Sequence, residues 1–397
     1  MRELLSIEDA LGRVLERAHV LEPESVPIAE GAGRVLAEPA VAQVDLPPFA
    51  SSAMDGFAVR AAETPGALPV VLHVAAGRPA SEPLPEGAAA AIATGGAVPE
   101  GADAVVPVEL TVEHDGRVEI ESEARSGQHV RPRGGDVRAG EVVVERGVRL
   151  TAPQIGALAA AGVAEFSCAR RPRVSVLATG SELRPPGATL EAGEIFDSNR
   201  VMIAAVLSAS GAVVDLLPVV EDDEEAHRRA LERALEADVL VTSGGVSMGQ
   251  HDLVRRVEAA LGVEEVFWGV AVKPGKPLSF GVCGRTLVFG LPGNPVSSLV
   301  GSVLFVQPAL LALQGLEDPR PRYEHGQTAT RLRRNAQRDE FVRARRRSAD
   351  TATLLEPIAG QESHMIVRAA SADALVHVPR GEGELAEGSS VRYLALD

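Results

Sequence analysis

Between residues 174 and 313 the chain alternates short apolar runs with helix-forming segments, and this alternation constrains the fold more than any other feature. The apolar runs are VSVLAT, VVDLLPVV, DVLVTS and LVFG. The predicted helices cover about 199–209, 222–236, 252–260 and 295–313. Strands that alternate with helices form a parallel sheet with helices on both faces. We therefore predict a central doubly wound α/β domain over residues 171–318.

The segments on either side of this domain are predicted to be rich in β-structure. Residues 45–145 contain short apolar runs cut by glycine and proline, without helical periodicity, which predicts an inserted β-rich domain. Residues 319–397 have the same character and predict a small C-terminal β-barrel domain. The segments 1–44 and 146–170 carry one predicted helix each and form a small linking domain. The first of these helices, over 6–20, is also suited to packing on the α/β domain.

The composition limits the classes of partner. The chain carries 39 basic and 55 acidic residues and a net charge of −16, so nucleic acid and anionic membrane surfaces are repelled overall. No apolar run reaches the roughly 20 residues of a membrane-spanning helix, and the acidic, helix-forming start is unlike a signal peptide. We predict a cytoplasmic protein without nucleic-acid or membrane partners. The two cysteines, Cys168 and Cys283, exclude a disulfide framework and are predicted to be buried.

Three glycine-rich loops follow predicted strands of the α/β domain, at residues 179–182, 242–249 and 290–295. Ligands of open α/β sheets bind beyond the carboxyl ends of the strands, and glycine lets backbone N–H groups approach a phosphate there. One such loop is more often a simple turn, but three at one edge favour a binding site. The candidate ligand-binding residues are Gly180, Ser181, Gly244, Gly245, Gly293, Asn294 and Pro295.

The segment Lys273-Pro274-Gly275-Lys276-Pro277 places two ammonium groups on one short turn. Its two prolines restrict the backbone, so both charges are held in place. Such a pair suits a di- or trivalent oxyanion. The alternative is a solvated basic turn, which the acidic balance of the chain makes less common here.

Carboxylates close to these loops are candidates for Mg²⁺, which prefers hard oxygen ligands. Glu182 follows the first loop, Asp222 begins the charged helix, and Asp252 follows the second loop. Asp197 and Asn199 lie in the same region, before the helix at 199–209. The alternative role of Asp222 and Asp252 is to stabilise the N-termini of their helices.

The β-rich segments contain further polar candidates. Asp55 lies in a loop of small residues, SAMDG, and Thr94 lies in the loop TGG. Arg343 and Ser363 lie in the C-terminal segment. Each loop alone is more often a turn, and the arginine-rich run 343–347 is more often a solvated strand face. The histidines have no ligand-like spacing, so none is assigned a role.

Taken together, these motifs resemble the MoeA and gephyrin E-domain family, the molybdopterin molybdenumtransferases. The segments SSAMDGFAV, IATGGAVPEGADAVVPVE, RPRGGDVRAGEVV, LATGSEL, FDSNR, VTSGGVSMGQHD, VAVKPGKP and LPGNPVSS occur in the family's order. The resemblance extends from about residue 6 to 392. It implies an elongated homodimer that takes adenylylated molybdopterin and molybdate, cleaves the phosphoanhydride, and yields molybdenum cofactor and AMP. Mg²⁺ is the implied metal.

Together, the loops and the resemblance define the candidate residues of the site. The candidate catalytic residues are Asp55, Ser247, Lys273, Lys276, Arg343 and Ser363. The candidate residues for binding the pterin and its phosphates are Thr94, Gly180, Ser181, Asp197, Asn199, Gly244, Gly245, Gly293, Asn294 and Pro295. The candidate metal ligands are Glu182, Asp222 and Asp252. The resemblance further implies that Asp55 and Thr94 reach the cleft of a partner subunit.

Two other functions are compatible with parts of the sequence. A molybdopterin adenylyltransferase, which acts one step earlier, resembles the central domain, but those enzymes are usually short single domains. A non-enzymatic scaffold is the second alternative, because the gephyrin branch also clusters membrane receptors. The set of acids and lysines argues against a purely structural role. The expected protein partners are the adenylyltransferase and the molybdoenzymes that receive the cofactor.

Overall fold

The computed structural model describes residues 4–220, 223–244, 253–349 and 352–396. Its contacts divide the chain into two compact units. One unit is Ser25–Ser167, and the other combines Met1–Glu24 with Cys168–Asp397. The four-domain division expected from the sequence is finer than these two units and stays a prediction.

The first part of the chain consists mainly of short strands. In chain order the elements are α1 Ile7–Leu15, β1 Pro23–Pro27, β2 Ala40–Val41, β3 Ser51–Ser52, β4 Gly56–Val59, β5 Gly66–Val74, β6 Ala89–Ile92, β7 Ala104–Pro107, β8 Thr111–His114, β9 Arg117–Ile120, β10 Val130–Arg131, β11 Val142–Val144, α2 Ala152–Ala160 and β12 Glu165–Ala169. Six of these strands form one sheet in the order β7-β4-β6-β5-β9-β8. The β-rich character predicted for this region is confirmed.

Helix α1 begins where the sequence predicts but ends earlier. The hydroxyl of Ser6 accepts a 3.0 Å hydrogen bond from the N–H of Asp9 and caps the helix. The sequence predicts a helix to residue 20, whereas the structure ends it at Leu15. Beyond that point the N–H of Leu21 donates to the carbonyl of Leu313, 2.9 Å away. The helix thus gives way to a turn, in which Arg17 and Ala18 donate to the carbonyls of Val14 and Leu15, before Leu21 binds Leu313.

The central part alternates strands and helices. Its elements are β13 Arg173–Ala178, β14 Leu183–Arg184, β15 Ile195–Phe196, α3 Asn199–Ala209, β16 Val213–Leu216, α4 Glu224–Ala234, β17 Val239–Ser243, α5 Leu253–Ala260, β18 Glu264–Trp268, β19 Val272–Lys273, β20 Ser279–Cys283, β21 Thr286–Leu291, α6 Pro295–Gly301 and α7 Gln307–Leu313. A π-helical turn, Ser302–Val306, joins α6 to α7.

The central sheet has the strand order β16-β13-β17-β21-β20-β18. Residues of α1, α3, α6 and α7 pack on one face and residues of α4 and α5 on the other, which confirms the doubly wound arrangement. The sequence predicts a parallel sheet, which four of the six strands form. Strands β16, β13, β17 and β21 are parallel, but β20 and β18 add an antiparallel edge.

The long helical segment Pro295–Leu313 belongs to the core of this unit. It is long and apolar enough to cross a bilayer, although the sequence predicts no such run, but 83% of its most apolar window is buried inside the fold. Packing against the sheet therefore accounts for its apolar composition.

The C-terminal part forms the predicted barrel. Its elements are β22 Glu324–Thr328, β23 Leu332–Arg333, β24 Asp339–Ser348, β25 Thr353–Pro357, α8 Ile366–Ala369, β26 Ala374–Val378, β27 Glu384–Leu385 and β28 Ser390–Ala395. Five strands close in the order β24-β25-β22-β28-β26, and β26 pairs again with β24. Strand β19 of the central part joins β24 in parallel, with Val272 opposite Asp339 and Lys273 opposite Glu340.

Candidate functional site

The loops that follow β13, β17 and β21 meet at one edge of the central sheet. Parallel strands place their carboxyl ends at the same edge. Gly244 has a φ of +93°, and a Cβ there would lie 3.0 Å from the carbonyl oxygen of Thr179. A Cβ on Gly293 would lie 3.8 Å from the Cα of Gly244. The three predicted loops are therefore neighbours, and we call the edge they form the rim.

Asn199, the first residue of α3, joins two of these loops. Its side-chain amide donates 2.8 Å hydrogen bonds to the hydroxyl of Ser243 and to the carbonyl of Gly293. The amide therefore links the end of β17 to the loop after β21. The sequence predicts Asn199 as a ligand-binding residue, and this geometry gives it a positioning role at the rim.

Asp197 is turned into the protein. Its side chain is only 1% exposed and pairs with the guanidinium of Arg200, which also donates to the carbonyl of Leu217. The other carboxylate oxygen accepts a 3.2 Å hydrogen bond from the N–H of Arg200. Both oxygens thus have internal partners at the start of α3, so direct contact with a pterin is not the role that the geometry favours.

The start of α6 contributes free donors to the rim. Gly293 and Asn294 are exposed, and among the residues that the structure describes no hydrogen-bond partner is found for either backbone N–H. Pro295 has no N–H and occupies the first helical position. Free N–H groups at a helix start attract anions.

The segment 273–277, here called the lysine turn, lies against the first turn of α6. A Cβ on Gly275, whose φ is +118°, would lie 3.6 Å from the carbonyl oxygen of Ser297. Lys276 is exposed. The Nζ of Lys273 lies 2.9 Å from a carboxylate oxygen of Glu340. Lys273 and Lys276 are also the only two lysines of the chain, whose other 37 basic residues (39 less these two) are arginines.

Arg343 is buried beneath the loop at 360–365 and does not present its guanidinium at the surface. Arg343 is only 1% exposed, and burial lowers the pKa of its guanidinium from the ordinary value. The guanidinium donates to the carbonyls of Gly360 at 2.8 Å, Glu362 at 3.2 Å and Met365 at 2.9 Å. These bonds fix the loop that contains Ser363, whose carbonyl accepts a 3.0 Å hydrogen bond from Val296.

Asp55 and Thr94 lie together in the other unit. The N–H of Thr94 donates to the carboxylate of Asp55 at 2.7 Å, and this bond, followed by a side-chain bond from the same residue, lowers the pKa of Asp55. The two loops are further joined by a 2.9 Å hydrogen bond from Gly95 to Ser52. Two candidate residues from distant segments thus lie together at the surface, where Thr94 stabilises the ionised carboxylate of Asp55.

The candidate metal ligands are only partly described. Glu182 is exposed and its carboxylate lies beside Gly180, where an added Cβ would come within 2.6 Å of it. Asp222, Asp252, Ser247 and Gly245 lie outside the described residues. Within the described ranges, no group of three His, Cys, Asp or Glu side chains is arranged to hold a metal ion. Ser181 is exposed in the first loop of the rim.

Sequence reasoning missed Glu340. It has no distinctive motif, and its contact with Lys273 depends on the pairing of β19 with β24. The two lysines, by contrast, stand out in the sequence, because both fall in one turn of a chain that has no other lysine. Cys168 is buried as predicted, whereas Cys283 is only partly buried.

Three family models match consecutive parts of the chain. A model for the MoeA N-terminal region (domain I and II) matches residues 5–162, one for a probable molybdopterin binding domain matches 175–312, and one for the MoeA C-terminal region (domain IV) matches 325–396.

Individual relatives are similar over most of their length. Molybdopterin molybdenumtransferase 2 of Mycobacterium tuberculosis is 38% identical, over 98% of this chain and 99% of its own. Molybdopterin molybdenumtransferase of Haemophilus influenzae is 37% identical, over 79% and 78%. A crystal structure of the molybdopterin biosynthesis MoeA protein from Pyrococcus horikoshii OT3 superposes with a TM-score of 0.85 at 27% identity, over 99% of this chain and 100% of that one.

Proposed function

The chain belongs to the MoeA family of molybdopterin molybdenumtransferases, and from this premise we propose that it inserts molybdate into adenylylated molybdopterin and releases AMP. The reaction is a step of molybdenum cofactor biosynthesis. The observation that carries the proposal is that the lysine turn lies against the first turn of α6, where an added Cβ on Gly275 would be 3.6 Å from the carbonyl oxygen of Ser297. The same helix begins after Gly293 and Asn294, whose N–H groups have no hydrogen-bond partner among the described residues.

These groups suit an oxyanion on physical grounds. Molybdate is a dianion, and Lys273 and Lys276 offset its charge from a turn whose backbone two prolines restrict. The N–H groups of Gly293 and Asn294 add fixed dipoles that need no reorganisation when the anion arrives. The glycines of the other two rim loops, Gly180 and Gly244, let the Glu182 carboxylate and the Thr179 carbonyl approach the backbone closely and so keep these loops compact beside the proposed pterin site.

The dithiolene sulfurs that bind the metal belong to the pterin substrate. The reaction therefore needs no protein thiol, in agreement with the burial of Cys168. Hydrolysis of the phosphoanhydride bond, with water as the acceptor of the adenylyl group, releases AMP and leaves the pterin with its own phosphate. In this scheme Arg343 and Asn199 act as positioning residues, while Ser247 and Ser363 stay proposed contacts of the oxyanion.

We propose Mg²⁺ as the metal, with Glu182, Asp222 and Asp252 as its ligands. Glu182 is the one of the three whose place is described, and its exposed carboxylate beside the first rim loop is a hard donor of the kind that Mg²⁺ prefers. When bound, Mg²⁺ would neutralise the phosphoanhydride of the substrate.

The assembly and location are also proposals. We propose a cytoplasmic homodimer in which Asp55 and Thr94 of one subunit complete the site of the other. The paired loops that present these two residues support the idea, because they hold an ionised carboxylate at the surface. The adenylyltransferase and recipient molybdoenzymes are the proposed transient partners.

The central test is Lys273→Ala in an assay that supplies adenylylated molybdopterin and molybdate. We expect the variant to fold but to lose cofactor formation, measured by activation of an apo-molybdoenzyme, together with the molybdate-dependent release of AMP. Arg285→Ala is the matched control, because it removes an exposed cation that pairs with Glu22. Normal insertion by the lysine variant would remove the proposed oxyanion site.

The adenylyltransferase alternative is tested with the same protein. Incubation with Mg-ATP and molybdopterin should give no adenylylated product. Accumulation of that product would favour the alternative over the proposal.

A further inference from the structure

The ammonium group assigned to the oxyanion already has an anionic neighbour. Lys273 and Glu340 are register partners on β19 and β24, and their side-chain charges lie 2.9 Å apart. The side chain of Glu340 is only 16% exposed, whereas that of Lys273 is 45% exposed. The carboxylate is therefore held by the fold, and the ammonium remains open to solvent on its other side.

Among the described residues, Lys273 is the ion-pair partner of the Glu340 carboxylate. The preceding acid, Asp339, has separate partners, because its carboxylate contacts His377 at 2.9 Å and accepts from the N–H of Arg380 at 3.3 Å. Strand geometry directs Asp339 and Glu340 to opposite faces of β24. Within the part of the chain that the structure describes, the carboxylate of Glu340 therefore faces the lysine turn.

We propose that Glu340 is the resident counter-anion of the oxyanion site, a residue that lowers the affinity of Lys273 for molybdate. This inference rests on the proposed function of Lys273. A lysine ammonium has three donors, so one can stay on Glu340 while the exposed side of the group contacts an oxyanion. Any oxyanion bound there then lies close to a second, fixed negative charge.

The consequence is that the site binds an oxyanion with moderate affinity and can release it. A divalent oxyanion gains more from the two lysines and the α6 start than a monovalent one, so it is better able to bind beside the carboxylate. Once the metal has passed to the pterin, Glu340 remains as the partner of Lys273 and neutralises the emptied site. Coulomb repulsion between a unit charge and a dianion about 5 Å apart in water corresponds to roughly a tenfold change in affinity at low salt.

The test measures binding of sodium molybdate to the full chain, without pterin, by isothermal titration calorimetry. Glu340→Gln keeps an oxygen that can accept from Lys273 but removes the charge, and we expect about tenfold tighter binding that weakens as salt is added. Glu356→Gln is the matched control, because it removes a carboxylate from the same barrel that pairs with Arg347 at 2.7 Å, and it should bind like the parent protein. In the full reaction, the KM for molybdate should fall for Glu340→Gln without a rise in kcat.

The outcomes separate this inference from the proposed function. If Lys273→Ala weakens molybdate binding while Glu340→Gln leaves it unchanged or weaker, the counter-anion role is wrong and the oxyanion site stands. If Lys273→Ala binds molybdate as the parent does, both fail. Glu340→Ala provides a second charge-removing variant, and thermal melting of each variant reports whether it is folded. Loss of fold alone cannot produce tighter binding, so the expected result is not open to a merely structural explanation.

Discussion

The backbone N–H of Val296 donates a 3.0 Å hydrogen bond to the carbonyl oxygen of Ser363. Val296 lies in the first turn of α6, and Ser363 lies in the loop that follows β25 of the barrel. One of the N–H groups at the helix start is therefore satisfied by the barrel, while those of Gly293 and Asn294 have no such partner among the described residues. The position of this loop decides which donors of the helix start remain available to an anion.

Arg343→Met should loosen that loop. The substitution keeps an apolar stem but leaves the carbonyls of Gly360, Glu362 and Met365 without their donor. We expect a loss of roughly 3 kcal/mol in the free energy of unfolding, about 1 kcal/mol for each lost hydrogen bond. Arg345→Met on the same face of β24 is the control, because its exposed guanidinium donates to one carbonyl, that of Ser371, and should cost less than about 1 kcal/mol. Urea denaturation measures both. Equal losses in the two variants would contradict the role assigned to Arg343.

Gly275→Ala should disturb the lysine turn without a steric clash. The nearest atoms to an added Cβ lie at 3.5 and 3.6 Å, but the φ of +118° is unfavourable for any residue with a side chain. We expect a cost of about 1–2 kcal/mol in stability and weaker molybdate binding. Gly12→Ala, which adds a methyl to open space in α1, should instead stabilise by about 0.5–1 kcal/mol. A Gly275 variant as stable as the parent would show that the turn adopts another backbone conformation.

Acid should destabilise the barrel through His377. Burial is the main cause that lowers the pKa of this imidazole, and the positive charge of Arg392 lowers it further. The hydrogen bond and the charge of Asp339 act in the opposite direction and raise it, but they do not outweigh burial. The unfolded chain then binds more protons than the folded one, so stability falls as the pH drops below about 6.5, the ordinary histidine value, toward the lower folded-state pKa. His377→Gln should reduce the slope of unfolding free energy against pH in that interval. An unchanged slope would assign the proton uptake to other groups.

The Asp55 carboxylate should stay ionised throughout the neutral range. Its pKa is lowered chiefly by the N–H of Thr94, so the stability linked to this contact is present above the ordinary aspartate pKa and is lost as the pH falls through the lowered value. Carbon-13 NMR titration of the side-chain carboxyl gives the pKa directly. A value at or above that of an unstructured aspartate would contradict the contact. Any change of activity between pH 6 and 8 must then come from another group.

Amine-selective reagents should modify the site with unusual selectivity. The chain has two lysines, both in the lysine turn, so an N-hydroxysuccinimide ester can label those positions and the α-amino group. We expect mass spectrometry to find three labels at most, and molybdate to protect Lys273 and Lys276 but not the N-terminus. Equal labelling with and without molybdate would place the anion elsewhere.

Local patterns predicted the α/β domain and the barrel, because buried strands and amphipathic helices differ in the spacing of their apolar residues. Strands β18 and β20 escape prediction because they lie on either side of the proline-rich lysine turn and follow one another without an intervening helix, which breaks the alternation of strands and helices. Arg343 shows a second limit. Alternation places it on the same face of β24 as the exposed Arg345 and Arg347, and only the loop at 360–365, which is distant in sequence, buries it.

The contact between Lys273 and Glu340 cannot be predicted from local sequence patterns either, because the two residues are distant in the sequence. The register of β19 against β24 sets it, and register arises from long-range packing of the barrel on the central part. The rim, by contrast, was predictable, because consecutive parallel strands bring their following loops to one edge whatever the details of the core.

The pairing of β19 with β24 can form only late in synthesis, after β24 has left the ribosome. Lys273 leaves the ribosome well before Glu340, so the central sheet can fold around a lysine turn that still has no β24 beside it. The turn gains its neighbouring strand and its counter-charge only when the barrel sequence has emerged. A nascent chain halted before residue 339 would therefore carry both lysines but not the environment in which they work.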